Sequence, residues 1–436
     1  VRSQDRGGNG SLEKVDLDID ITPPSVRIVF DNNSSLNETY FDAPRRAVLV
    51  ITERTGHFDA AAASRAIEVT AEDGTGRPVE GAWEIGGWTT EEDEENPDAA
   101  THRATVCFGA DANYTWSVSC MDLAGNESNA ADTADAAAPF AFTVDTTAPT
   151  GVIKAVSSEG GQETWNDLPE SFAFGLISKE RITLTGEFTD QTCASLAAVE
   201  YYRAEAGQRD DAIVPLSREE LDQVREWTAF DRLEITSDEQ AVYYVRITDL
   251  AGNSAYISTD GLMVDRLVPR IYGRVVSDIA AEPGTLADGR FVYGGDVQVS
   301  VYASDFASAG VSSGLRTVSY RILNMGIETQ AGILYEAGDG GTAAGKPAAE
   351  WSGGFTVDSG LNNSNDVQLL ICAQDNAGNL YEEAISIGID ITAPAVEVSY
   401  DNNEAAGGFY FNRARRATIV VTERNFRPEN VDLAIT

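Results

Sequence analysis

The chain has 436 residues, with 70 acidic against 31 basic side chains and a formal net charge of −39. A field of that sign repels nucleic acid and anionic membrane surfaces, and it favours solubility and divalent cations. Apolar residues make up 42% of the chain, enough to build cores and exclude a disordered polymer, while no apolar run approaches the length needed to cross a bilayer.

In chain order, residues 1 to 11 are polar and without periodicity and read as a frayed lead-in. Leu12 to Asp20 (LEKVDLDID) reads as the last strand of a preceding domain, so residues 1–20 are set apart. Its ending returns as FTVD at Phe142–Asp145, LMVD at Leu262–Asp265 and GID at Gly388–Asp390. Proline follows closely each time, in ITPP, TTAP, RLVP and ITAP. The four aspartates stand 125, 120 and 125 residues apart. A fixed period with this punctuation means tandem units: 21–145, 146–265, 266–390 and the opening strands of a fourth at 391–436. Proline past a strand end removes a ladder donor and fixes φ, so the linkers are short and stiff.

The first unit predicts strands at Ser25–Phe30, Ala47–Thr52, Ala66–Ala71, Gly81–Ile85, His102–Phe108, Tyr114–Met121 and Phe140–Val144. The acidic run Glu91–Asp98 reads as a solvated loop. The second unit predicts strands at Gly151–Val156, Arg181–Phe188, Ala198–Arg203, Leu233–Thr236, Ala241–Thr248 and Gly261–Val264. It also carries an insertion in which Ser217 and Glu220 form a capping box ahead of a helix ending near Trp227. The third predicts strands at Arg270–Val276, Asp296–Ala303, Arg316–Leu323, Gly332–Glu336, Gly354–Val357, Val367–Ala373 and Ala384–Ile389. Its loop Gly340–Pro347 (GGTAAGKP) fails as a phosphate loop, because Pro347 stands where a hydroxyl should bind magnesium and no helix follows. In the fourth, Ile389–Asn403 and Tyr410–Arg424 repeat Ile19–Asn33 and Tyr40–Arg54 at an offset of 370 residues. About seven short strands per unit of this size predict an all-β chain of tandem immunoglobulin-like β-sandwich domains in an elongated array.

Each complete unit holds a period-2 strand ending in Asp-x-Ala-Gly-Asn: Tyr114–Asn126, Ala241–Asn253 and Val367–Asn379. One parity is apolar throughout: Tyr114, Trp116, Val118 and Cys120 align with Ala241, Tyr243, Val245 and Ile247, and with Val367, Leu369, Ile371 and Ala373. The turn has a complete structural account. Asp122, Asp249 and Asp375 bond their own downstream amides, Gly125, Gly252 and Gly378 supply positive φ, and Asn126, Asn253 and Asn379 tolerate the left-handed region. Those turn oxygens, with the linker carboxylates Asp20, Asp145, Asp265 and Asp390, also form candidate calcium ligands at the domain junctions. Calcium takes about six to eight oxygens, so one aspartate per motif suffices only where the motifs converge.

Other chemistry has little to stand on. The two histidines, His57 and His102, lie beside no nucleophile motif, which argues against an enzyme. Of four cysteines only Cys107 and Cys120 share a unit, and parity turns the first outward and the second inward, against a bridge. Trp88, Trp165 and Trp351 sit in polar or Gly-rich stretches, where they either cover a sandwich end or stack on a sugar or protein partner.

The Val-Asp-Thr-Thr-Ala-Pro of Val144–Pro149, the Asp-x-Ala-Gly-Asn strands and the ATIVVTERNF of Ala417–Phe426 resemble bacterial immunoglobulin-like repeats of large surface proteins and adhesins. The resemblance runs from about residue 12 to the end. It implies an extracellular, wall-attached or secreted bacterial surface protein acting as a non-enzymatic stalk or adhesive arm. Its partners would be neighbouring domains of the same chain, and a host protein or glycan, with no nucleic acid and no membrane insertion. No cofactor is required, although calcium sits in the linkers of some such arms. The linker at Asp265 departs from the pattern, with Arg266 and Leu267 where threonines stand elsewhere, so the resemblance implies a metal there less than at the other linkers.

Overall fold

Alternation of buried and exposed side chains is the organising feature of the computed structural model. It describes residues 1–434 apart from 36, 38, 130–139, 191, 193, 206–214, 277–283, 307–310 and 339–347. The loop expected at Gly340–Pro347 therefore lies wholly outside the described residues, as does Cys193. The chain is all-β, 52% strand and 3% helix, and among the described residues no helix is long and apolar enough to cross a membrane.

In the first unit, Ser25–Phe30, Arg45–Arg54, Ala99–Phe108 and Trp83–Ile85 form one sheet in that order, and Thr89–Glu92 also pairs with Ala99–Phe108. The second sheet is built on Ala112–Met121, which pairs with Glu127–Asn129, Ala141–Val144 and Ile67–Glu72. Val26, Ile28, Leu49, Ile51, Val106 and Phe108 of one sheet pack against Tyr114, Trp116, Val118, Phe142 and Val144 of the other in a single apolar cluster. The second and third units repeat the scheme around their own clusters, Ile153 to Val264 and Ile271 to Ile389.

Three pairings recur and place the junctions. The strand after each linker runs antiparallel to the next long strand: Ser25–Phe30 with Arg45–Arg54, Thr150–Ser157 with Ile182–Thr189, Arg270–Val275 with Val297–Ser304, and Ala395–Tyr400 with Ala417–Thr422. A short strand between them crosses over to lie parallel to the unit's last strand, as in Tyr40–Phe41 beside Ala141–Val144. The Asp-x-Ala-Gly-Asn strand pairs with that last strand from the other side.

Several expectations change. Leu12–Asp20 is not a strand: only Gly10–Leu12 is extended, hairpinned onto Arg2–Gln4, because the described residues offer the rest of it no ladder partner. A helix at Ala60–Arg65 was not anticipated, and Asp59 caps it by accepting from the Ala61 and Ala62 amides. The positive φ of each turn belongs to glycine alone, at 89°, 102° and 91° for Gly125, Gly252 and Gly378. The asparagines stay out of that region and turn to the linkers.

The insertion helix is shorter than expected, Arg218–Leu221, but its capping box forms. Its Leu221 is fully buried against Val242, Tyr244 and Tyr256, which covers the outer face of a strand whose second parity would otherwise be wet. Ser217→Ala should therefore cost about 1 kcal/mol, read as a lower denaturant midpoint without a change in slope. Trp116 is a core residue, 3% exposed. Cys107, Cys120 and Cys372 are free thiols.

Candidate functional site at the junctions

The linker aspartate is bonded on both sides at each junction between units. The Asp145 amide donates to Phe41 O of the first unit at 2.9 Å, while its carboxylate accepts from the Ala194 amide of the second at 2.8 Å. Asp265 donates to Ser178 O at 2.9 Å and accepts from the Ser313 amide at 2.7 Å. Asp390 donates to Tyr293 O at 2.9 Å and accepts from Asn425 Nδ2 at 2.6 Å.

The turn asparagine completes the clamp. Asn126 Nδ2 donates to Asp20 O at 3.1 Å, Asn253 Nδ2 to Asp145 O at 2.7 Å and Asn379 Nδ2 to Asp265 O at 2.8 Å. The same nitrogens also donate to Asp122, Asp249 and Asp375, whose other oxygens accept the asparagine amides. The turn oxygens thus do bond their downstream amides, and the motif docks the incoming linker as well.

At two junctions the carboxylates converge, and a third acid joins them. Asp145 and Asp249 meet Asp190, and Asp265 and Asp375 meet Asp305, with one candidate ligand atom per residue, all within 4.8 Å of one another in each group. Asp190 and Asp305 directly follow Thr189 and Ser304 at the end of the second long strand, as Glu53 follows Thr52 and Glu423 follows Thr422. This hydroxyl-then-acid ending was visible in the sequence, but the variable loop before that strand breaks its spacing from the linker.

Among the described residues no arginine, lysine or histidine pairs with Asp265, Asp305 or Asp375. Asp265, Asp305 and Asp375 are all buried, at 1%, 2% and 0% exposure. Burial pushes the Asp375 carboxyl up to about 7, with Asp265 and Asp305 adding to the rise. Burial also raises Asp305, and it raises Asp249 with a smaller push from Asp145. In the other group Asp190 Oδ2 is buried with no hydrogen-bond partner among the described residues. Arg266, beside Asp265, does not neutralise its neighbour; its guanidinium turns to Thr236 O at 3.1 Å.

Each outer junction places a basic side chain beside its linker acid. Arg424 Nη2 lies 2.8 Å from Asp390 Oδ1. At the first junction Asp20 gathers with Glu53 and His57 rather than with Asp122, and His57 Nδ1 already lies 2.6 Å from Asp20 Oδ2. Burial opposes ionisation of Asp122, but the Asn126 bonds outweigh it and hold its pKa low. The cation reading is therefore confined to the two inner junctions: Asp20 already faces His57 and Asp390 faces Arg424, while Asp122 and Asn126 bond each other. Asn253 and Asn379 act as clamps through their nitrogens.

The remaining candidates resolve simply. Trp88, Trp165 and Trp351 are half-buried against the three cores, and Trp88 Nε1 donates to Ser64 Oγ at 2.9 Å. Glu91–Asp98 is exposed throughout, although Thr89–Glu92 takes strand form. No protein-family model matches this chain, and no curated protein matches it significantly.

Proposed function

We propose that the chain is a non-enzymatic spacer arm, built of immunoglobulin-like β-sandwiches at 21–145, 146–265 and 266–390 with a fourth opening at 391–436. The observation that carries this reading is the doubly bonded linker aspartate, which ties the end of one unit to the start of the next at Asp145, Asp265 and Asp390. A chain whose units only had to fold would need no such tie; a chain that must hold them at fixed angles does. The repeat resemblance supports an extracellular bacterial surface protein, where such an arm spaces a binding or catalytic module from the cell. Small-angle scattering of the chain tests it: one conformer should reproduce the curve, and a curve that needs a broad ensemble of interunit angles would overturn the reading.

One observation favours a more specific version, in which a hard cation such as calcium stiffens the two inner junctions. The group Asp265, Asp305 and Asp375, which has no cationic partner among the described residues, and the group Asp145, Asp190 and Asp249, in which a buried Asp190 oxygen has no hydrogen-bond partner among the described residues, offer the carboxylate donors such an ion takes. Asp145, Asp190 and Asp249 would hold one ion, and Asp265, Asp305 and Asp375 another.

A further inference from the structure

The first junction differs from the others in holding a histidine between two carboxylates. His57 Nδ1 lies 2.6 Å from Asp20 Oδ2, and Nε2 lies 2.9 Å from Asp18 Oδ2. A neutral imidazole has one N–H, so two carboxylate contacts on opposite ring nitrogens are both hydrogen bonds only in the imidazolium. The ring is held on fixed backbone: the His57 amide donates to Arg54 O at 3.0 Å, and its carbonyl accepts from the Leu123 amide at 3.0 Å. The approach to the junction is not fixed in that way. Residues 13 to 19 have no regular secondary structure and are exposed.

We propose that His57 is a pH-operated clasp: as imidazolium it pins Asp18 and Asp20 to the end of the Arg45–Arg54 strand, and on losing its proton it releases Asp18. The clasp rests on these contacts alone and stands whether or not the chain is an arm. The proton that remains on the ring belongs on Nδ1, where Asp20 is the closer and more buried partner, its side chain 4% exposed against 60% for Asp18. The Nε2 lone pair then faces the Asp18 carboxylate and repels it. Arg54 keeps a 2.9 Å ion pair to Asp18, but that pair is exposed and contributes little.

Glu53, from the same strand end, also acts on the ring, and Asp122, from the turn after Ala112–Met121, acts on Glu53. Hydrogen bonds to Asp18 first, then to Asp20, raise the His57 pKa. A base with a raised folded pKa stabilises the closed form below its ordinary value of about 6.5 and loses that contribution as pH rises through the folded value. His102, the other histidine, has the opposite setting. Burial lowers its pKa, with its ring stacked 4.0 Å from Phe58 and Nδ1 on Thr90 Oγ1 at 2.8 Å.

Ring-labelled histidine NMR of the full chain gives two signals, assigned by their loss in His57→Gln. The His57 signal should titrate above about 6.5 and the His102 signal below it. The backbone order of residues 13–20, read as the heteronuclear NOE of their labelled amides, should fall across the His57 midpoint as Asp18 is released. Asp18→Asn, at an exposed site that leaves folding intact, should lower the midpoint and shrink that loss. A His57 midpoint at or below about 6.5, backbone order that is flat across the titration, or a midpoint unmoved in Asp18→Asn would overturn the clasp.

Discussion

Asn379→Ala should destabilise the third unit by about 3–5 kcal/mol, seen as a fall in that unit's unfolding transition. Asn379 is 8% exposed, and its Nδ2 donates at 2.8 Å both to Asp265 O and to Asp375 Oδ2. Truncation leaves both acceptors without that donor in a place water does not reach. The backbone bond from residue 379 to Asp375 Oδ1 survives, so the turn itself persists and the loss reports on the dock. A buried acceptor that loses its donor costs about 1–3 kcal/mol, more when it is charged. Asn126→Ala makes the matched control, because Asn126 is more exposed and its partner Asp20 also has His57. That change should cost about 1–2 kcal/mol. Equal losses at the two sites, measured by calorimetry, would mean that the asparagine is only a turn residue.

What the sequence made legible was local. Tyr114, Trp116, Val118 and Cys120 are all buried, as their parity required, and so are Val367, Leu369, Ile371 and Ala373. Parity failed where tertiary structure overrode it: Val242 and Tyr244, on the face expected to be wet, are 1% exposed because the insertion helix lies over them. Leu12–Asp20 failed for the converse reason, since a strand pattern without a partner makes no ladder. The site was half legible. The linker and turn aspartates announce themselves by repetition, whereas Asp190 and Asp305 reach them only through the sheet, and no single-segment periodicity reports a meeting of three chain segments. The sign of each junction was equally hidden. Arg54 and Arg424 sit in the same TER motif and face linker acids, while Arg266, adjacent to one, turns away.

In chelator, the third unit should lose stability as pH rises from about 4 to about 7 and above, and calcium should reverse that trend. Asp375 has a folded pKa raised to about 7, so across this window the folded state binds more protons than the unfolded one, and stability falls with rising pH. The part due to Asp375 is on the order of 4 kcal/mol between the two ends, with Asp305 acting in the same direction. A cation competes with those protons for the same oxygens, so its binding strengthens as they leave. Calcium should therefore stabilise the unit little at pH 5 and strongly at pH 8, by about 2.7 kcal/mol at a hundredfold excess over its dissociation constant, read as a rise in melting temperature. Asp375→Asn separates the proton from the metal. It keeps acceptor and shape but removes a buried charge, so in chelator at pH 8 it should be at least as stable as the parent, and it should gain nothing from calcium. If calcium leaves the parent's melting temperature unchanged at pH 8 while Asp375→Asn still flattens the pH profile, the three carboxylates are a proton-sharing cluster and the cation reading fails.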